Sequence, residues 1–326
     1  MSKTPALVRA IEDKAVDWMI NWTYALLSRT PEEVYGLLNP QMADGKPILQ
    51  YLFEHQCPGT LKAWFDAMTF QLERAEQMTA LVQAGPRGLP ALAEYLTSQD
   101  DIDPYFDHEW QAVLELLSHD ERATVLQARD QDGRPGLFHA IQAGNAQGVR
   151  AWGRWLELLE PERRAELLQG KDASGCSLLA QRWGQSALNQ GVLLVANRPT
   201  DVPEALKGAL RAWLALCQTL PVPAQMEVLT GGDADGTPWW AAMAYRGDGH
   251  LIATVLDAWS ARLPMILRDQ VVDRLGAASQ GVPVRLRQDL ATRPALRQQM
   301  TDAIRAMGDW LPTSLREELD AALASN

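Results

Sequence analysis

Cysteine is nearly absent from this chain, with three in 326 residues: Cys57, Cys176 and Cys217. An odd, scattered set builds no disulfide framework and fits a reducing compartment. Histidine is scarce as well, with five in all. No stretch approaches the roughly 20 apolar residues of a membrane span. Sustained period-two alternation is missing, so no sheet is expected. There is no P-loop, no Gly-x-Ser-x-Gly elbow and no Cys-x-x-Cys pair, and with them go the usual sequence marks of nucleotide, hydrolase and thiol redox chemistry. Basic charge is in deficit. The formal net charge of −11 disfavours nucleic acid or an anionic membrane as main partner. The N-terminus leads into an amphipathic segment with Glu12, Asp13 and Asp17, unlike a signal peptide. The expected location is cytoplasmic.

What the chain does have is a repeating turn. The signature Gly-x-Pro-x-Leu, or a close variant, begins at Gly45, Gly88, Gly133, Gly175, Gly236 and Gly281, with spacings of 43, 45, 42, 61 and 45 residues. A period in this range marks stacked supersecondary units, none able to bury its apolar face alone. Seven residues before the glycine stands a leucine, at Leu38, Leu81, Leu126, Leu168 and Leu229. A tryptophan stands 22 to 24 residues before it, at Trp64, Trp110, Trp152, Trp213 and Trp259. Four of these five follow an alanine. Their phasing predicts burial between adjacent units. The 61-residue spacing is explained by one insertion, about residues 185–203, with the apolar run Val192 to Val195.

The unit from Gly133 shows the expected build. Asp130-Gln-Asp-Gly133 is a turn, glycine supplying the positive φ and aspartate bonding its own backbone. Leu137, Ala140 and Ile141 have the spacing of a short first helix. Val149, Trp152, Trp155, Leu156 and Leu159 line a second, and Ala165, Leu167 and Leu168 a third. Thr30-Pro31-Glu-Glu33 has the spacing of a capping box at such a third helix. The run Asp130-x-x-Gly133-x-x-x-Leu137-x-x-Ala140-x-x-x-Gly144 resembles the ankyrin repeat, as does Asp233-x-x-Gly236-Thr-Pro with the later Ala244 and Gly247. The resemblance covers about half of each unit and is good in two of six, and the period exceeds the ankyrin length of about 33. It implies an all-α fold, an α-solenoid of about six ankyrin-like units across 31–298. Residues 1–30 form an N-terminal capping helix and residues 299–326 a C-terminal cap. Ankyrin arrays imply protein binding, with no cofactor and no chemistry.

Candidate contact residues come from two places. The stretch from Ser98 to Glu109 holds Asp100, Asp101, Asp103, Asp107 and Glu109 beside Tyr105 and Phe106, acids and aromatic anchors suited to a basic partner. The insertion adds Asn197 and Arg198, since insertions in repeat arrays gather on one face. Other clusters are weaker. Asp130-x-Asp132 and Asp233-x-Asp235 lack the remaining ligands of a calcium loop, and His108, Glu115 and His119 are a thin basis for a metal site. Residues 262–305 carry eight arginines against four aspartates, whereas residues 1–261 carry a net −12. The expected function is therefore non-enzymatic binding of a basic protein, as by an inhibitor, an immunity protein or an adaptor. The alternatives are a secreted bacterial effector that captures a host protein, or an enzyme on an (α/α) toroid.

Overall fold

A computed structural model of the chain describes residues 5–40, 42, 44–56, 59–86, 88–98, 103–181, 204–261 and 263–324. The described residues form twenty α-helices and two 3-10 turns, with isolated β-bridges but no strand. The fold is all-α. Its elements fall in threes. They begin with α1 (Ala6–Glu12), α2 (Val16–Leu26) and α3 (Pro31–Leu38), then α4 (Ile48–His55), α5 (Thr60–Gln71) and α6 (Arg74–Val82). Next come α7 (Ala91–Ser98), α8 (Pro104–Glu115) and α9 (His119–Gln127), then α10 (Gly136–Gln142), α11 (Ala146–Leu156) and α12 (Pro161–Gln169). A 3-10 turn at Leu178–Ala180 stands where a first helix would. It is followed by α13 (Glu204–Cys217) and α14 (Val222–Thr230), then α15 (Trp239–Arg246), α16 (His250–Ser260) and α17 (Met265–Ala278). The chain ends with α18 (Val282–Leu290), α19 (Leu296–Met307) and α20 (Thr313–Ala324).

The chain divides into two compact units, residues 1–140 with 147–160, and residues 141–146 with 161–326. In the first, like packs on like. First helices α1, α4 and α7 stack in succession, second helices α2, α5 and α8 do the same, and third helix α6 lies on α9. In the second unit α12, α14 and α17 stack in turn, α13 lies on α16, and the 3-10 turn lies on α15. There α19 packs against α15 and α16, and α18 against α20.

The recurring turn is built from the residues the spacing singles out. The Gly133 N–H donates to the Asp130 carbonyl at 2.9 Å, while Asp130 Oδ1 accepts from the Arg134 N–H at 2.7 Å. Gly133 has φ 73°, in the left-handed region where a Cβ is costly. Asp172 and Asp233 repeat the arrangement, accepting from the N–H groups of Cys176 and Thr237. Asp130 and Asp233 are turn residues.

Each phased tryptophan is buried, with no more than 1% of its surface exposed. Three are also anchored at the indole: Trp64 donates to the Leu38 carbonyl, Trp152 to Leu126 and Trp213 to Leu168, at 2.9–3.1 Å. Those acceptors are phased leucines. The second helix of one triplet is thus fastened to the end of the third helix before it.

Two expectations are corrected. At Gly281 φ is −79°, and the residue opens α18 rather than closing a turn, with Pro283 tolerated in the first helical turn. The sixth signature is a helix start. The N-terminal segment is two helices, broken at Lys14 with φ 53°, and they pack on α4 and α5 as the first two members of a triplet would.

Third helices α3, α6 and α9 all open with a reciprocal capping box, Thr30 with Glu33, Glu73 with Glu76 and Ser118 with Glu121. Glu121 also accepts two hydrogen bonds from Arg74 of α6, each 2.6 Å. The guanidinium pulls the Glu121 carboxyl from an ordinary 4.5 down to about 2. A depressed carboxyl stabilises the fold once pH exceeds its unfolded value, and that contribution is lost as pH falls toward about 2. Glu121→Gln is expected to lower the melting temperature at neutral pH, with the difference closing below pH about 4. Paired melting curves across pH 2–8 check this. A difference independent of pH would show that the charge on Glu121 does not contribute.

Candidate interaction surface

The described acids of the stretch, Asp103, Asp107 and Glu109, are committed to the fold. Asp103 caps α8, its Oδ1 accepting from the N–H groups of Tyr105 and Phe106 at 2.8 and 3.2 Å. Phe106 is wholly buried, packed on Phe53, with Tyr95 and Trp110 in the same cluster. The expectation that it anchors a partner is therefore corrected: three residues below Glu109, it falls on the apolar stripe of α8 with Trp110 and Val113. Asp107 pairs with Arg154 at 2.8 Å and accepts from the Trp155 indole at 2.7 Å, joining α8 to α11. Glu109 accepts from the Gly59 N–H at the start of α5. Burial raises its carboxyl above the usual range, against the pull of the Gly59 and Lys62 N–H groups. Among the described candidates, Tyr105 is the one largely exposed, at 76%. Asp100, Asp101, Asn197, Arg198 and the 185–203 insertion lie outside the described residues. His108, Glu115 and His119 form no metal cluster, and no group of three such ligands gathers among the described residues.

A different surface is open. Second helices α2 and α5 lie side by side, and between them runs a groove of about 330 Å³ lined by Ile20, Thr23, Tyr24, Leu27, Ala63, Asp66, Phe70 and Gln71. Tyr24, Leu27 and Phe70 are 68%, 65% and 78% exposed, and Ile20 and Trp18 are open as well. Ile20, Tyr24 and Leu27 lie four and three apart along α2 and its C-cap, so one stripe points outward while Met19 and Leu26 point into the core. Asp66 is the charged member of the lining and is paired with Lys62 at 2.8 Å. The Gln71 side-chain amide N–H is buried and makes no hydrogen bond among the described residues.

Phe70 hides in the sequence because it sits in an apolar helix between buried Phe65 and Leu72. Its signal is positional. It falls six residues after Trp64, as Leu116 falls six after Trp110 and Met265 six after Trp259, and all three are exposed. No family model, no curated protein and no solved structure matches this chain. No described helix is long and apolar enough to cross a membrane.

Proposed function

We propose that the chain is a divergent ankyrin-like α-solenoid whose task is to bind a basic protein partner without chemistry, as an inhibitor, an immunity protein or an adaptor does. The observation that carries this reading is the open apolar face of α2 and α5 on a chain with a net charge of −11. Contiguous apolar surface that the fold leaves uncovered is the mark of an interaction site. The stacking of like helices and the repeated glycine turn support the repeat architecture. The acids that recur in the sequence are spent on turns, at Asp130, Asp172 and Asp233, and Asp103 caps a helix.

The test is cross-linking in native lysate, identification of the captured protein, and association kinetics with that protein purified. A partner of net positive charge is expected, with an on-rate that falls at least about tenfold from low to high salt. A captured protein that is acidic, or an on-rate indifferent to salt, would overturn the basic-partner reading.

A further inference from the structure

We infer that the α2–α5 groove receives an amphipathic helix of that basic partner, laying apolar side chains on Ile20, Tyr24, Leu27 and Phe70 and a lysine or arginine near Asp66. The inference rests on the basic-partner reading. The shape favours a helix. Ile20 to Leu27 covers about 10 Å of α2, roughly two helical turns at the ordinary rise. A channel between two parallel-sided helices is the surface into which a third helix lays an i, i+3, i+4 stripe. Phe70 and Leu116 are exposed apolar residues at one offset from the phased tryptophans Trp64 and Trp110, whereas the same offset carries half-buried Leu158 and polar Thr219 in later triplets.

Charge selects the occupant. Asp66 lines the groove with Lys62 paired to it, and with the exposed Asp17, Glu32 and Glu33 on and after α2 the acids there number four against the two bases Lys62 and Arg29. A second copy of this chain would set these acids against their own kind, which is repulsive. A helix with lysine or arginine flanking its apolar stripe meets them with opposite charge.

The probe is a synthetic helical peptide with leucine on one stripe and lysine on its flanks, beside a counterpart carrying glutamate in place of lysine. Calorimetric titration into the full chain at low salt is expected to show binding of the lysine peptide alone. The double variant Leu27→Ala/Phe70→Ala should weaken it at least about tenfold with no change in melting temperature, since both side chains are exposed. Asp66→Asn should slow association at low salt and have little effect at high salt. Unchanged affinity in the double variant overturns the site, and retained salt-sensitive binding there leaves the basic-partner reading standing on another surface. Equal binding of the glutamate peptide, or binding of neither, also overturns it. So does a dimer in light scattering that the double variant dissolves, because the occupant is then a second copy.

Discussion

Replacing Trp152 with alanine is expected to remove about 3–5 kcal/mol of unfolding free energy, the range for emptying a well-packed aromatic site. The ring is buried on α11 and its indole N–H reaches the Leu126 carbonyl at 3.0 Å, at the end of α9. Trp152→Phe separates the two contributions. It keeps much of the ring but leaves a buried carbonyl unpaired, which costs about 1–3 kcal/mol. Trp18→Ala is the control. Trp18 stacks on Trp22 at 5.5 Å but stays 39% exposed, so its loss should stay within about 1 kcal/mol. Denaturant midpoints at constant slope measure all three. If Trp152→Ala costs no more than Trp18→Ala, the tryptophans are not the packing residues of the repeat.

That bond also explains why so much of the fold is legible from spacing. Trp64, Trp152 and Trp213 keep phase with Leu38, Leu126 and Leu168 because an indole donor must meet a helix-terminal carbonyl. The bonded pairs lie 26 residues apart in the first two cases and 45 in the third, where the insertion intervenes. Trp110 is the phased tryptophan without a preceding alanine, and its indole N–H has no partner among the described residues. The glycine turns are legible for a similar reason, since a left-handed residue leaves little choice of side chain. Gly281 shows the limit of that argument. Gly-x-Pro suits a helix start as well as a turn, and only the packing of α18 on α20 decides between them.

The candidate surface was less legible. Asp103, Asp107 and Glu109 look like free acids in the sequence, but a carboxylate that caps a helix or receives an indole N–H reads no differently from a solvated one. The partners of Asp107 and Glu109, Trp155 and Gly59, lie 48 and 50 residues away. Tyr24, Leu27 and Phe70 present the opposite difficulty. An apolar residue in an apolar helix reads as core, and exposure is fixed by which neighbouring helix the chain omits to supply.

Another repeated device leaves no mark in the spacing because its residue type varies. Four residues before the phased leucine stand Gln77, Arg122 and Gln225, and each reaches back five residues to a carbonyl behind it. Gln77 donates to Leu72, Arg122 to Leu117 and Gln225 to Leu220, at 2.7–2.8 Å. Periodicity in hydrophobicity cannot register a position that reads Val34, Gln77, Arg122, Arg164 and Gln225 along the chain.

Arg122→Ala should therefore cost about 2–3 kcal/mol, the scale of charge-assisted bonds to helix-terminal carbonyls. Its guanidinium bonds the carbonyls of Leu114 and Leu117 at 2.7 and 2.8 Å and that of Leu158, beyond α11, at 2.6 Å. The side chain closes the end of α8 and ties it to the triplet that follows. Arg122→Gln should recover part of the loss, because glutamine makes the five-residue bond at Gln77 and Gln225 but cannot span to Leu158. Arg122→Lys should recover less, since a single ammonium point charge does not reproduce a planar fork aimed at several carbonyls. The expected order of denaturation midpoints is wild type, glutamine, lysine, alanine. All three variants melting together, or alanine matching wild type, would mean that the carbonyls at the end of α8 are met by solvent and that Arg122 does not fasten one triplet to the next.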